Sequence, residues 1–389
     1  MADTSESNIS LEPADASTQP RAKPKALIGQ YLLEHLPTYR ELRELQTKSE
    51  EADTFFENQR QRADYADIKA KTGLFKLMHK IGLELNAATS ALTLRRPSDR
   101  SPRPAILDLC MAPGGFSLAA LSRNPAALLR GISLPPSQGG HEMLLRKRWS
   151  ETDPDAQIYV SFRDITLLAD ELGTPASSIP SSHPDAASFS SDRPFIEHEF
   201  DLVICDGQVL RTHERAEYRE TNEATRLLTA QLVLALQRIR PGGTMVMLLH
   251  KADAWQNVLL MHTLTALAST VQLFKPLAGH RLRSSFYLVA KGVRPDCDAA
   301  AEAVRQWKAK WSLATFGVGL GAAVSGGGGC EDEDEDGVGG TEVEVLKSGA
   351  EEKVRAVLRE FGPALARMAE PVFAIQAEAL KKAPWMKDT

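Results

Sequence analysis

The chain has 389 residues, 43% of them hydrophobic and 25% charged, which is material for one sizeable core with appendages. Its 46 basic and 51 acidic residues give a formal charge of −5, which excludes a polycation that coats nucleic acid but not a local basic face. No run of about 18 apolar residues occurs, so no membrane span is expected, and cysteines 110, 205, 297 and 330 are too scattered for a disulfide scaffold or a structural zinc site. Residues 1–25 are polar and rich in Ser, Thr, Pro and acids, and read as a disordered tail. That tail has neither the apolar centre of a secretory signal nor an Arg-rich transit character, so a cytoplasmic or nuclear location is expected. Residues 26–73 read as a helical extension, broken at Pro37 into a short helix and a longer one. A further helix is predicted over Thr72–Leu85.

From 104 onward the texture changes. PAILDLCM (104–111), LLRGISL (128–134), QIYVSF (157–162), DLVICDG (201–207) and TMVMLLH (244–250) are apolar runs of strand length. Short helices are expected at Phe116–Arg123 and His141–Ser150, and long amphipathic ones at Glu214–Arg240 and Asp253–Ser269. Apolar strands alternating with helices predict an α/β fold with a mostly parallel sheet covered on both faces. The last pair, TVQLF (270–274) and SFYLVA (285–290), is joined by only ten residues, too few for a parallel crossover, so it is predicted antiparallel. Thr174–Arg193, with seven serines and three prolines, reads as a mobile insertion. Residues 295–316 read as a helix and 317–342 as a Gly-rich, acidic linker. The segment 343–389 is helical, with Val354, Val357, Leu358, Phe361, Leu365 and Met368 at helical spacing and an interruption at Gly362-Pro363. Its apolar stripe suits docking on the core or on a protein partner.

Asp108-Leu-Cys-Met-Ala-Pro-Gly-Gly-Phe-Ser117 carries the strongest chemical signal. A buried strand ends at Asp108, turns on Pro113-Gly114-Gly115 and enters a helix, the place where open parallel sheets bind ligands. GxGxxG is absent, so a nicotinamide dinucleotide is not the natural reading. Cys110 and Cys205 read as packing residues. His250 and His280 have no second ligand at metal spacing, so no metal is expected.

DLCMAPGGFS resembles the first motif, DLGxAPGGW, of FtsJ-like RNA 2′-O-methyltransferases. The resemblance runs over about residues 74–293 and includes Gly73-Leu-Phe-Lys-Leu77, FDLVICDG, Arg240-Pro-Gly-Gly-Thr244 and SSFYLVAKG. It implies a Rossmann-like class I methyltransferase sheet, mostly parallel with an antiparallel last strand, and S-adenosylmethionine (SAM) as cofactor. Asp108 and Ala112, Pro113, Gly114, Gly115 and Phe116 would hold the methionine part. Asp164 would contact adenine, and Ser133 stands where many such enzymes place an acid for the ribose. Asp206 would lie beside the sulfonium and the acceptor, and Lys76 matches the first lysine of the family's Lys-Asp-Lys-Glu tetrad. The second lysine falls on Leu248, with Lys251 three residues later as a substitute. The glutamate falls on Ser285 or Phe286. The implied activity is SAM-dependent methylation of a ribose 2′-hydroxyl in RNA. The alternatives are a catalytically weakened SAM- or RNA-binding scaffold subunit and a methyltransferase with a non-RNA acceptor. Nine Lys/Arg against four Asp/Glu over 60–100, and five against none over 271–295, would give RNA a basic approach.

Overall fold

Seven strands form one sheet in the order β3-β2-β1-β4-β5-β7-β6 in the computed structural model, which describes residues 23–47, 68–94, 103–145, 147–321 and 350–386. The strands are β1 (Ala105–Leu109), β2 (Leu128–Ser133), β3 (Ile158–Phe162), β4 (Phe200–Cys205), β5 (Ile239–His250), β6 (Ala268–Phe274) and β7 (Ser285–Val293). Neighbours among β1–β5 are parallel, and β7 runs antiparallel to both β5 and β6. The short link between β6 and β7 enforces that reversal, as its length predicts. Strand order switches direction at β1, with β2 on one side and β4 on the other, so a crevice opens beyond the carboxyl ends of β1 and β4.

Side chains alternate along each strand, and both faces are apolar. Val246 and Leu248 of β5 join Ile106, Leu129, Ile204 and Val289 under α3 (Ile68–Thr89) and α4 (Gly115–Arg123). Met245, Met247 and Leu249 join Leu107, Val203 and Leu288 on the other face, under α5 (Glu223–Leu236), α6 (Trp255–Leu267) and α7 (Asp298–Gly321). This double covering is why the strands read as continuous apolar runs.

The ends of the described chain pack on each other. α1 (Pro24–His35), α2 (Pro37–Thr47) and α8 (Ala350–Leu380) share one core, in which Leu27, Ile28, Leu32 and Tyr39 meet Val354, Leu358, Phe361, Leu365 and Val372. The apolar stripe of α8 is therefore covered by the chain itself. The expected interruption at Gly362-Pro363 does not occur: α8 continues through Pro363 and Pro371. Tyr31 lies so close to Gly362 that a Cβ there would come within 2.5 Å of its ring. Packing of this kind overrides the local breaker signal.

Three further expectations change. The described residues of His141–Ser150 are not helical, and Ser150 instead bridges to Tyr159. The helix expected from Glu214 begins at Glu223, after a 3₁₀ turn at Glu217–Arg219. The serine-rich insertion is pinned down. His183 and Phe189 pack against Tyr218 and Phe316, Tyr218 Oη donates to Asp185 at 2.6 Å, and Arg238 holds both Glu171 and the Pro194 carbonyl. Residues 1–22 of the expected tail, 48–67, and 322–349 with the acidic run fall outside the described residues, whereas Pro24 and Lys25 of that tail already belong to α1 and 317–321 of the expected linker belong to α7.

Candidate active site

The crevice beyond β1 and β4 contains a cavity of about 250 Å³. Leu74, Leu77, Met78 and Ile81, one stripe of α3, form one wall, and Ile165, Leu210 and Leu227 form another. Cys110, Ala112, Pro113 and Ser133 line its floor, with Asp206, His280 and Tyr287 at one end and Asp164 and His213 at the other.

The turn after β1 is built by glycines with separate tasks. Gly114, at φ 95°, occupies the left-handed region and starts α4. Gly115 faces α3, where a Cβ would lie 2.2 Å from the Phe75 carbonyl oxygen, so it permits close helix packing. Phe116 is buried beside Tyr287, with ring centroids 5.5 Å apart. Only Ala112 and Pro113 of the Ala112–Phe116 segment line the cavity. Asp108 is buried behind them and accepts a hydrogen bond from the Ser117 hydroxyl; burial pushes its carboxyl up to about 8 against that bond. Ser133 Oγ accepts from the Ala112 N–H at 3.2 Å and so fastens the turn to β2.

Asp206 follows the last residue of β4. Gln231 of α5 holds the turn beyond it by accepting from the Gly207 N–H at 2.9 Å. Tyr287 Oη donates to Asp206 Oδ1 at 2.8 Å. Burial pushes the Asp206 carboxyl up to about 7, with the tyrosine bond acting in the opposite direction.

At the other end Asp164 does two things. Its Oδ1 caps the turn Ile165–Leu167 by accepting from the Thr166 N–H at 2.9 Å, and its Oδ2 accepts from Arg219 at 2.7 Å. Asp164, His213 and Glu223 have potential ligand atoms within 4.8 Å of one another. Arg219 stands among them and donates to Glu223 as well, at 2.7 Å. The cluster is thus an ion-paired network, and the arginine keeps the Asp164 carboxyl below the usual carboxylate range despite burial.

Residues 82–293, more than half of the chain, match the sequence pattern of the FtsJ-like methyltransferases. The chain belongs to the FtsJ-like methyltransferase family. Among solved structures it is similar to a ribosomal RNA methyltransferase from Plasmodium falciparum, 16% identical, over 54% of this chain and 93% of that one, with a TM-score of 0.32. An rRNA methylase from Streptococcus thermophilus is 12% identical, over 56% and 94% of the two chains, with a TM-score of 0.29. Human methyltransferase-like protein 13, solved in complex with SAH, is 12% identical over 62% and 93%, with a TM-score of 0.28. No match is found among curated protein sequences.

This FtsJ-like site brings together Ala112, Pro113, Ser133, Asp164 and Asp206, with Asp108 directly behind them. It does not bring in Lys76 or Lys251. Lys76 lies off the Leu74–Ile81 stripe of α3 and is exposed. Lys251, just after β5, has a left-handed backbone (φ 58°), donates its N–H to the Ser284 carbonyl at 3.1 Å and is not among the lining residues. Leu248, at the family's second lysine position, does line the cavity. The residues that sequence reasoning missed are Tyr287, His280, His213 and Arg219. Tyr287 was legible only in part: it alternates with Ser285 on the strand, so it shares the face to which the family's glutamate position maps.

Proposed function

We propose that this FtsJ-like chain binds SAM in the cavity and transfers its methyl group to a ribose 2′-hydroxyl of RNA. The observation that carries the reading is Asp206: a carboxyl at the carboxyl end of β4, facing the cavity beside the Ala112-Pro113 turn. The donor set fits the cofactor. Apolar walls suit a purine and a thioether-like chain, and the Asp206 carboxyl, which faces the cavity, suits a sulfonium. The fit is weakest for the ribose hydroxyls, because Ser133 replaces an acid and its oxygen already accepts from Ala112. When bound, SAM supplies a methyl carbon on sulfur, which bonds to the acceptor oxygen as the carbon–sulfur bond breaks and its electron pair stays on sulfur.

The protein's own contribution is largely position. α3 and the turn after β1 shape the walls, and holding two reactants in line is worth several kcal/mol, about 7–11 at the limit. RNA would approach over a basic rim. Lys76 and Lys80 on α3 and Arg281 and Arg283 in the β6–β7 link are exposed. That link is tied to α3 where the Leu277 and Ala278 N–H groups donate to Glu84. Lys76 then serves phosphate approach instead of the reacting atoms.

A specific observation favours a second reading, a SAM- or RNA-binding scaffold subunit. No lysine lines the cavity among the described residues. One titration separates the two. SAM and its demethylated product are titrated calorimetrically, and tritiated methyl transfer to RNA is then followed by alkaline hydrolysis. Ribose methylation leaves alkali-resistant labelled dinucleotides. Micromolar binding without transfer selects the scaffold, label in alkali-labile mononucleotides selects base methylation, and no binding of SAM, its product or RNA overturns both.

A further inference from the structure

The departure from the family pattern at Leu248 stands between Asp206 and Tyr287 in the sheet. Cys205 pairs with Met247, so Asp206 is level with Leu248, and Leu248 pairs with Tyr287. Asp206, Leu248 and Tyr287 therefore form one row across β4, β5 and β7, and all three face the cavity. Two strand spacings, about 9–10 Å, separate the outer members. A tyrosine spans that gap, and a leucine between the two offers no competing polar head. The phenol thus reaches over Leu248 to donate to Asp206 at 2.8 Å.

We propose that Tyr287 is the positioning residue of this site, replacing the missing lysine, and that Asp206 itself takes the proton of the acceptor hydroxyl. The proposal rests on the methyl-transfer reading above. With Oδ1 accepting from Tyr287, Oδ2 is kept for the acceptor's proton. As the oxygen–carbon bond forms and the carbon–sulfur pair goes to sulfur, that proton passes to Asp206 and from there to solvent. A base is most effective with a pKa near the working pH, and burial puts Asp206 there, at about 7. A neutral phenol holds the carboxylate without lowering its basicity as far as an ammonium would. Asp108 and Cys110 from the β1 side, Cys205 of β4, Tyr287 of β7, His280 and His250, and Lys275 and Arg283 of the β6–β7 link, which act on both histidines, are the titratable and charged groups around it. Burial, with the charges of Lys275 and Arg283 beside them, holds both histidines neutral, down to about 3 and 4; burial also pushes Lys275 down to about 7, into the same range, so the Asp206 carboxyl is followed directly.

The test uses the full chain. Its aspartate carboxyls are labelled with ¹³C, and the Asp206 signal is assigned by its loss in Asp206→Asn. Titration of the unaltered protein should show Asp206 near pH 7, and the rate of methyl transfer to RNA should rise through the same range. Tyr287→Phe should move both to higher pH and slow transfer about ten- to hundredfold, the worth of one hydrogen bond to a charged group, while SAH affinity stays within about threefold. An independent variant, Leu248→Lys, puts an ammonium into the row and should move both to lower pH. Unchanged titration and rate in Tyr287→Phe, or no downward move in Leu248→Lys, overturns the role of the row. Absence of transfer by the unaltered protein that binds SAH overturns the methyl-transfer reading and this role with it. That failure is recognised before any substitution is made.

Discussion

Asp206 and Asp108 set the pH behaviour of the site. An aspartate in an unfolded chain titrates near 4, whereas burial raises these two to about 7 and about 8. Folding therefore favours their protonated forms. Their contribution to stability is intact below about pH 4 and is lost as pH rises through the folded values. His250 and His280, held neutral by burial, act in the opposite sense below about pH 6.5, so the difference between variants is what is read: relative to the unaltered protein, the urea midpoint of Asp206→Asn should rise between about pH 5 and about pH 7. A difference that stays flat over that interval would contradict the burial of the Asp206 carboxyl. The same substitution should abolish methyl transfer while SAH binding remains, because the amide keeps the shape but cannot accept a proton.

At the scale of elements, the site depends on how closely α3 and α4 approach. Gly115 is the contact point, and the nearest atom to an added Cβ is a backbone oxygen of Phe75, which cannot swing aside as a side chain would. Gly115→Ala should destabilise the fold by about 1–3 kcal/mol, as overpacking does, and should weaken SAH binding by displacing the cavity wall that α3 provides. Chemical denaturation and calorimetry on the one variant check both. The insertion Thr174–Arg193 carries a related lesson. Its composition reads as a mobile loop, but composition does not show that His183 and Phe189 find aromatic partners on α7 and on the segment before α5. Arg163, which lines the cavity, pairs with Asp192 of this insertion, so the loop holds one residue of the site's wall from behind.

For the molecule as a whole, the sheet is completed by its ends. α8 lies against α1, α2 and β6, and Leu365 is fully buried among them. Leu365→Ala should cost about 2–5 kcal/mol, the usual range for a core truncation, read from the denaturation midpoint. A loss below about 1 kcal/mol would mean that α8 is not docked as described. The stripe that could have served a protein partner is thus spent on the fold. No helix among the described residues is long and apolar enough to cross a membrane.

The sequence by itself determined the strands, the antiparallel last pair, the turn after β1 and Asp206 at the end of β4. These rest on local properties: apolar runs of strand length, a link of ten residues, glycines at a strand-to-helix turn, an acid at a strand's end. Lys76 shows the limit of such reading, since a motif gives a position in the chain but not the face of the helix it occupies. Only the tertiary structure decided that Tyr287, 81 residues from Asp206, donates to it across an intervening strand. It also decided that Arg219 fills the Asp164 cluster and that α8 folds back on α1. Each of these is a contact between segments distant in sequence, fixed by register and packing, and no local pattern encodes a register.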